Sequence, residues 1–138
     1  MTKTIRIDHL ALECHDIPRT VQFYQRYAGM EVIHDRHEQG VRVTWVRHRQ
    51  DRNGLILVLI HRAKTAEVKK ESLNHLGFHV ADRSDVDLLS KLADSEGCLV
   101  EPAKEGGMIM GYYCTAHDPD GNLVEFSFGQ AKASCDQE

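Results

Sequence analysis

Two histidines, His9 and His75, and one glutamate, Glu125, are of the residue types that bind a divalent cation through neutral imidazole nitrogen and carboxylate oxygen. Any one of them alone reads as an ordinary strand residue. Their placement in a repeated pattern changes that reading. The segment Asp8-His9-Leu10-Ala11-Leu12-Glu13-Cys14-His15-Asp16 aligns with Asn74-His75-Leu76-Gly77-Phe78-His79-Val80-Ala81-Asp82 at an offset of 66 residues (75 − 9). Both alternate with the period of two expected of a strand. That alternation puts Leu10 and Leu12 on one face and His9, Ala11 and Glu13 on the other. In the second copy it separates Leu76, Phe78 and Val80 from His75, Gly77 and His79. In the last strand it separates Val124, Phe126 and Phe128 from Leu123, Glu125 and Ser127. His9, His75 and Glu125 are thus predicted on the sheet face turned away from the helices.

An unpaired carboxylate buried on such a face is costly, and a divalent cation relieves that cost. Two histidines and one carboxylate with open positions suit Fe(II), Mn(II), Ni(II), Co(II) or Zn(II). The open positions allow such an ion to polarise a substrate oxygen. Glu125 lies four residues after Gly121, and Val58 lies four after Gly54. The first copy therefore offers an apolar residue where a fourth ligand would sit, and three protein ligands are expected.

The elements that must position these residues follow from the same repeat. After Asp16 and Pro18, Val21, Tyr24 and Tyr27 keep a helical period up to Gly29. After Asp82 and Ser84, Val86, Leu89 and Leu92/Ala93 do the same up to Gly97. Three strands are predicted after each helix: near 31–36, 41–48 and 55–61, then near 98–102, 109–116 and 123–128. Asn53-Gly54 and Asp120-Gly121-Asn122 are turn signals before the third strand of each set. The fold class is therefore α+β: two βαβββ modules forming a curved mixed sheet around a metal-binding cleft. One domain is expected over 1–138, with module 1 at about 5–62, a linker at 63–72 whose charged part is Lys64–Glu71, and module 2 at about 73–129.

Other residues near the predicted cleft carry possible chemistry. His79 shares a face with His75 and is a candidate acid/base group. Glu13 is its counterpart in the first copy, readable as a second base or a rim charge. Tyr112 and Tyr113 are adjacent on one strand, so one faces the cleft and the other the core. Met108, Ile109 and Met110 follow two glycines, and hydrophobic packing is the favoured reading over a lid. Trp45 reads as core, and His34, His37, His48, His61 and His117 read as surface residues.

Composition narrows the setting. The chain has 138 residues, a net charge of −4 and no basic footprint for nucleic acid. No apolar run approaches the roughly 18 residues of a membrane span, and the first residues lack the apolar core of a signal peptide. Cys14, Cys98, Cys114 and Cys135 form no C-x-x-C pair. A cytoplasmic protein with reduced thiols is expected.

Four segments together resemble the vicinal oxygen chelate superfamily, also called the glyoxalase/bleomycin resistance/dioxygenase superfamily. They are Asp8-His9-Leu10-Ala11-Leu12, Phe23-Tyr24 before Gly29-Met30, His75-Leu76-Gly77-Phe78, and the stretch from Asp118-Pro119-Asp120-Gly121 to Glu125-Phe126. The resemblance covers about residues 5 to 129. It implies a divalent-metal-dependent enzyme that chelates vicinal oxygens of a small substrate, with lyase, isomerase or thiol-addition chemistry. An Fe(II) extradiol-type dioxygenase and a bleomycin-resistance-type binding protein are the alternatives. Similarity to glyoxalase I implies His9, His75 and Glu125 as ligands, Glu125 doubling as a base, while that family's fourth ligand falls at Val58. Lys104, in Glu101-Pro102-Ala103-Lys104-Glu105-Gly106-Gly107, resembles an anion contact. The second-shell tyrosine and the acid/base histidine of extradiol dioxygenases fall at Thr115 and near Met110. The small-molecule substrate is expected to be a thiol conjugate or an aromatic diol. The resemblance also implies a homodimer.

Overall fold

The computed structural model describes residues 7–63 and 73–130. The charged linker expected at 64–71 and Cys135 lie outside the described residues. The chain divides into two compact units, Met1–Lys69 and Lys70–Glu138. Each unit carries one copy of the repeat.

The first unit runs β1 (His9–Glu13), α1 (Ile17–Ala28), β2 (Met30–Glu38), β3 (Val41–His48) and β4 (Ile56–Arg62). Its four strands are ordered β1-β4-β3-β2, with β1 and β4 parallel and the other pairs antiparallel. Asp16 caps α1 by accepting the Arg19 amide at 3.1 Å, and Pro18 supplies a preset helical φ in the first turn. Gly29 ends the helix in the left-handed conformation at φ 61°, where a side chain would be strained. The helix packs on β2, β3 and β4. Tyr24, Thr20, Ile17, Leu57, Leu59, Val46 and Thr44 are almost wholly buried between helix and sheet.

The second unit repeats the plan as β5 (Leu76–His79), α2 (Arg83–Ser95), β6 (Leu99–Glu105), α3 (Gly107–Met110), β7 (Tyr112–His117) and β8 (Leu123–Phe128). Its strands are ordered β5-β8-β7-β6, with β5 parallel to β8. The side chain of Asp85 accepts the Asp82 amide at 3.1 Å at the start of α2. Val86, Ala93, Cys114, Ala116, Val124 and Phe126 form the core under this helix. The β7–β8 turn is organised by Asp118, 4% exposed, whose carboxylate accepts the amides of Asp120 and Asn122 at 2.9 Å each and the Asn122 side chain at 2.8 Å. That turn fixes the start of β8 and hence the position of Glu125.

The segment expected to open a strand at Ile109 instead forms α3, and β7 begins at Tyr112. Gly107 and Gly111 at φ 88° and 68° close the turn, with the Gly111 amide donating to the Gly107 carbonyl at 2.8 Å and the Gly106 amide to the Gly111 carbonyl at 2.7 Å. Met108, Ile109 and Met110 are 92%, 78% and 46% exposed, so the packing reading of this segment is corrected. Trp45 is likewise not core. Its neighbours Thr44 and Val46 point under the helix, and alternation sends Trp45 to the other face, where it is half-buried. His34 and His61 are half-buried rather than surface residues. The His34 ring lies 4.7 Å from that of Trp45, and His61 Nδ1 donates to the Cys14 carbonyl at 2.9 Å.

Gly111 and Gly107 share a positive φ but differ in surroundings. A Cβ on Gly111 would strike the Phe128 carbonyl and crowd the Gln130 amide at 2.9 Å, whereas one on Gly107 meets nothing within 4 Å. Gly111→Ala is expected to cost about 3 kcal/mol or more and Gly107→Ala about 1 kcal/mol. Thermal or denaturant unfolding of the two variants tests the order.

Candidate metal centre

His75 stands immediately before β5 and Glu125 lies in β8, and the parallel register of Leu76 with Val124 brings them together. His75 Nε2 lies 3.2 Å from Glu125 Oε2, with the side chains 42% and 12% exposed. The other nitrogen, His75 Nδ1, donates to Asn74 Oδ1 at 2.7 Å. A neutral ring so held turns its Nε2 lone pair toward a carboxylate, an arrangement completed by a proton or a cation between them. Glu125 Oε1 accepts the Gln130 amide at 2.6 Å, which orients the carboxylate.

His9, at the start of β1, repeats half of this arrangement. Its Nδ1 lies 3.0 Å from Asp8 Oδ2, and because a carboxylate can only accept, Nδ1 carries the proton and Nε2 is the free donor atom. Ala11 and Val58 are register partners, as Gly77 and Glu125 are, so Val58 occupies the place of Glu125 in the first unit. In both copies the residue before the histidine sets its tautomer. The aligned Asp8 and Asn74, each next to a repeated histidine, carry the signal for this in the sequence.

The donor set can be tested against a metal ion. Among the described residues no three His, Cys, Asp or Glu side chains gather closely enough to hold one. The pair His75–Glu125 fits one edge of a coordination shell. Bonds of about 2.0–2.2 Å at tetrahedral or octahedral angles separate two ligand atoms by roughly 3 Å. Metal-bound histidines characteristically have the remote nitrogen held by an acceptor, as both are here.

The other expected site residues are placed as follows. His79 is exposed at the end of β5, in a cross-strand row with Ser127, Tyr113 and Lys104. Lys104 Nζ lies 3.0 Å from Glu101 Oε2 and 5.4 Å from the Tyr113 ring. Glu101 and then the Tyr113 hydroxyl push the Lys104 pKa up, and Lys104 holds the Glu101 carboxyl below its ordinary range. Lys104 is thus a paired cation. Glu13 lies in β1 with Oε1 3.4 Å from Arg62 Nε, while its buried Oε2 has no hydrogen-bond partner among the described residues. Of the two tyrosines, expected to face opposite ways, Tyr112 is the one on the helix side. Tyr112 turns toward α2, its hydroxyl donating to Asp87 and its ring lying 3.8 Å from the Arg83 guanidinium carbon. Tyr113 takes the opposite face, because adjacent strand residues alternate. Cys114 carries no nucleophile, because burial pushes its thiol up to about 11.

Residues 6–126 match the Glyoxalase/Bleomycin resistance protein/Dioxygenase superfamily. The chain belongs to this superfamily. A Pseudomonas aeruginosa protein described as uncharacterized is 35% identical over 124 residues, covering 90% of this chain and 89% of its own. Two superfamily structures show the same fold. The trypanothione-dependent glyoxalase I of Leishmania major has a TM-score of 0.74 at 19% identity, over 97% of this chain and 92% of its own. A mutant of the fosfomycin resistance protein of Listeria monocytogenes, complexed with Mn(II) and a dihydroxypropylphosphonic acid, has a TM-score of 0.72 at 18% identity, over 96% and 99%.

The Tyr112–Asp87 contact has a measurable consequence. Hydrogen bonding to Asp87, followed by burial, raises the pKa of the Tyr112 phenol. Asp87→Asn should therefore lower the pH at which this phenol ionises, seen as phenolate absorbance at lower pH than in the parent. The difference should vanish when the comparison is repeated in a Tyr112→Phe background.

Proposed function

We propose that this protein is a divalent-metal-dependent enzyme of its superfamily, with His9, His75 and Glu125 as the three protein ligands of one ion. The observation that carries the reading is the shared tautomer control. Asp8 and Asn74 hold Nδ1 of the two histidines, leaving Nε2 of each as the donor, and Glu125 stands 3.2 Å from one of these. Fe, Mn, Ni, Co or Zn suits such a set, and the Listeria relative's Mn(II) is consistent with it. When bound, the ion would supply a Lewis acid for two neighbouring oxygens of a small substrate.

The chain's own residues suit lyase, isomerase or thiol-addition chemistry. Val58, in the place of a fourth ligand, leaves a position open for substrate. Glu13, His79 and Glu125 are the groups proposed to move protons, and Lys104 and Tyr113 to meet the substrate. Thr115 and Met110, at the positions where extradiol dioxygenases carry their tyrosine and histidine, make ring cleavage the lesser reading. A cytoplasmic homodimer remains the proposed setting, with the three ligands drawn from one chain or from two.

Metal analysis of the purified protein followed by calorimetric titration with Mn(II), Ni(II) and Zn(II) tests the ligand set. His9→Ala, His75→Ala and Glu125→Ala should each abolish or severely weaken binding, and Val58→Ala should leave it unchanged. Asn74→Ala and Asp8→Ala should weaken binding about tenfold or more through the loss of ring orientation. Absence of stoichiometric metal from the parent protein would instead favour a ligand-binding protein.

Proton transfer is tested separately. A Glu13→Gln/His79→Gln double variant should keep its metal and lose about 100-fold or more in kcat once a substrate is found. Full activity in that variant would remove both residues from the mechanism.

A further inference from the structure

The face of the first sheet turned away from α1 has an apolar centre with His34, Arg36 and Glu13 at its edges, unlike its counterpart in the second unit. One cross-strand row reads Ala11, Val58, Trp45 and His34, and the next Glu13, Ile60, Val43 and Arg36. The equivalent rows of the second unit carry Glu125, Thr115, Glu101, Ser127, Tyr113 and Lys104. Glu125, Thr115 and Ser127 of the second unit thus correspond to Val58, Trp45 and Ile60 of the first, an apolar floor, while Lys104 and His79 correspond to Arg36 and Glu13 at its edges.

Trp45 is the chain's only tryptophan and the largest residue on that floor. Its ring is half-buried, flanked by the His34 ring tilted at 49° and by the Arg36 guanidinium carbon at 5.9 Å from the ring centroid. Arg36 donates to His34 Nε2 at 3.0 Å and has no carboxylate partner among the described residues. Arg42, by contrast, is spent on Asp35 through two bonds of 3.1 Å. An exposed cation without an anion, set beside an indole and an aliphatic row, complements a planar apolar body that ends in a carboxylate. His9 lies on the same face at β1, two strands across and two residues along from Trp45, or roughly 12 Å at ordinary strand spacing and rise.

We propose that Trp45, Val58 and Arg36 form the recognition platform for an aromatic carboxylate, the ring lying on Trp45 and Val58 and the carboxylate meeting Arg36. The platform names the substrate class of the metal enzyme proposed above and rests on that reading for its chemistry, though not for binding itself. The oxygenated end of such a substrate would point across β4 toward His9.

The single tryptophan provides the readout. Benzoate, benzyl alcohol and cyclohexanecarboxylate are titrated into the full-length protein, stripped of metal and again with Mn(II), with emission of Trp45 followed under selective excitation. Benzoate should quench or shift the emission saturably, and about tenfold more tightly than the alcohol or the non-aromatic acid. Calorimetry on Arg36→Gln should show benzoate weakened about tenfold and benzyl alcohol unchanged, and Trp45→Leu should weaken both aromatic ligands. No saturable change with benzoate, or equal affinity for all three ligands in the parent protein, overturns the proposal without use of any variant. Benzoate binding without metal uptake would keep the platform and reject the metal enzyme. Metal uptake with no benzoate binding would do the reverse.

Discussion

Each unit has one long helix for a sheet of two faces, and that helix buries the apolar side chains of one of them. α1 and α2 cover the faces carrying Leu57, Leu59 and Val46, and Val124, Phe126 and Cys114. At about 25 cal/mol per Å² of apolar surface, this one-sided burial is the main stabilising term of each unit. The opposite faces are left to side chains that stability does not prescribe. Every residue argued to bind or react in the proposals above belongs to those faces.

The parallel pairing of first and last strand converts that freedom into geometry. A βαβββ chain returns its fourth strand to the side of its first, so residues nearly fifty positions apart become neighbours in each copy. In the second unit this sets His75 beside Glu125. In the first it sets Ala11 beside Val58 and leaves His9 with Asp8. The faces away from the helices thus differ, a polar pair in one unit and an apolar floor in the other, while each helix covers an apolar core. The β7–β8 turn contributes as well, since the buried Asp118 carboxylate accepts three hydrogen bonds that fix where β8 begins.

The electrostatics of the second unit are divided by the sheet. Tyr112, Asp87 and Arg83 form a polar cluster on the helix side, and Lys104, Glu101 and Tyr113 another on the open side. Adjacent tyrosines thus take unlike partners through strand alternation alone. Lys104 is balanced by Glu101, whereas Arg36 in the first unit is not balanced by any described carboxylate. A ligand anion meets less competition at Arg36.

Period-two alternation, helix caps and the offset of 66 residues between His9 and His75 made the strands, both long helices and the face of each candidate ligand legible in the sequence. These are local properties or repeats of local properties, and the chain carries them without reference to distant contacts. Tertiary structure decided the rest. Ile109 and Met110 have the composition of a strand, but two glycines at positive φ turn them into an exposed helical turn. Nothing in the dipeptide Tyr112-Tyr113 says which ring meets Asp87, because that depends on the packing of α2 against β7. Trp45 is large and apolar, hence expected in the core, yet register with Val58 puts it on the uncovered face. The pairing of His75 with Glu125 likewise required the parallel ladder, since sequence periodicity assigns a face to a residue but not a neighbour on it.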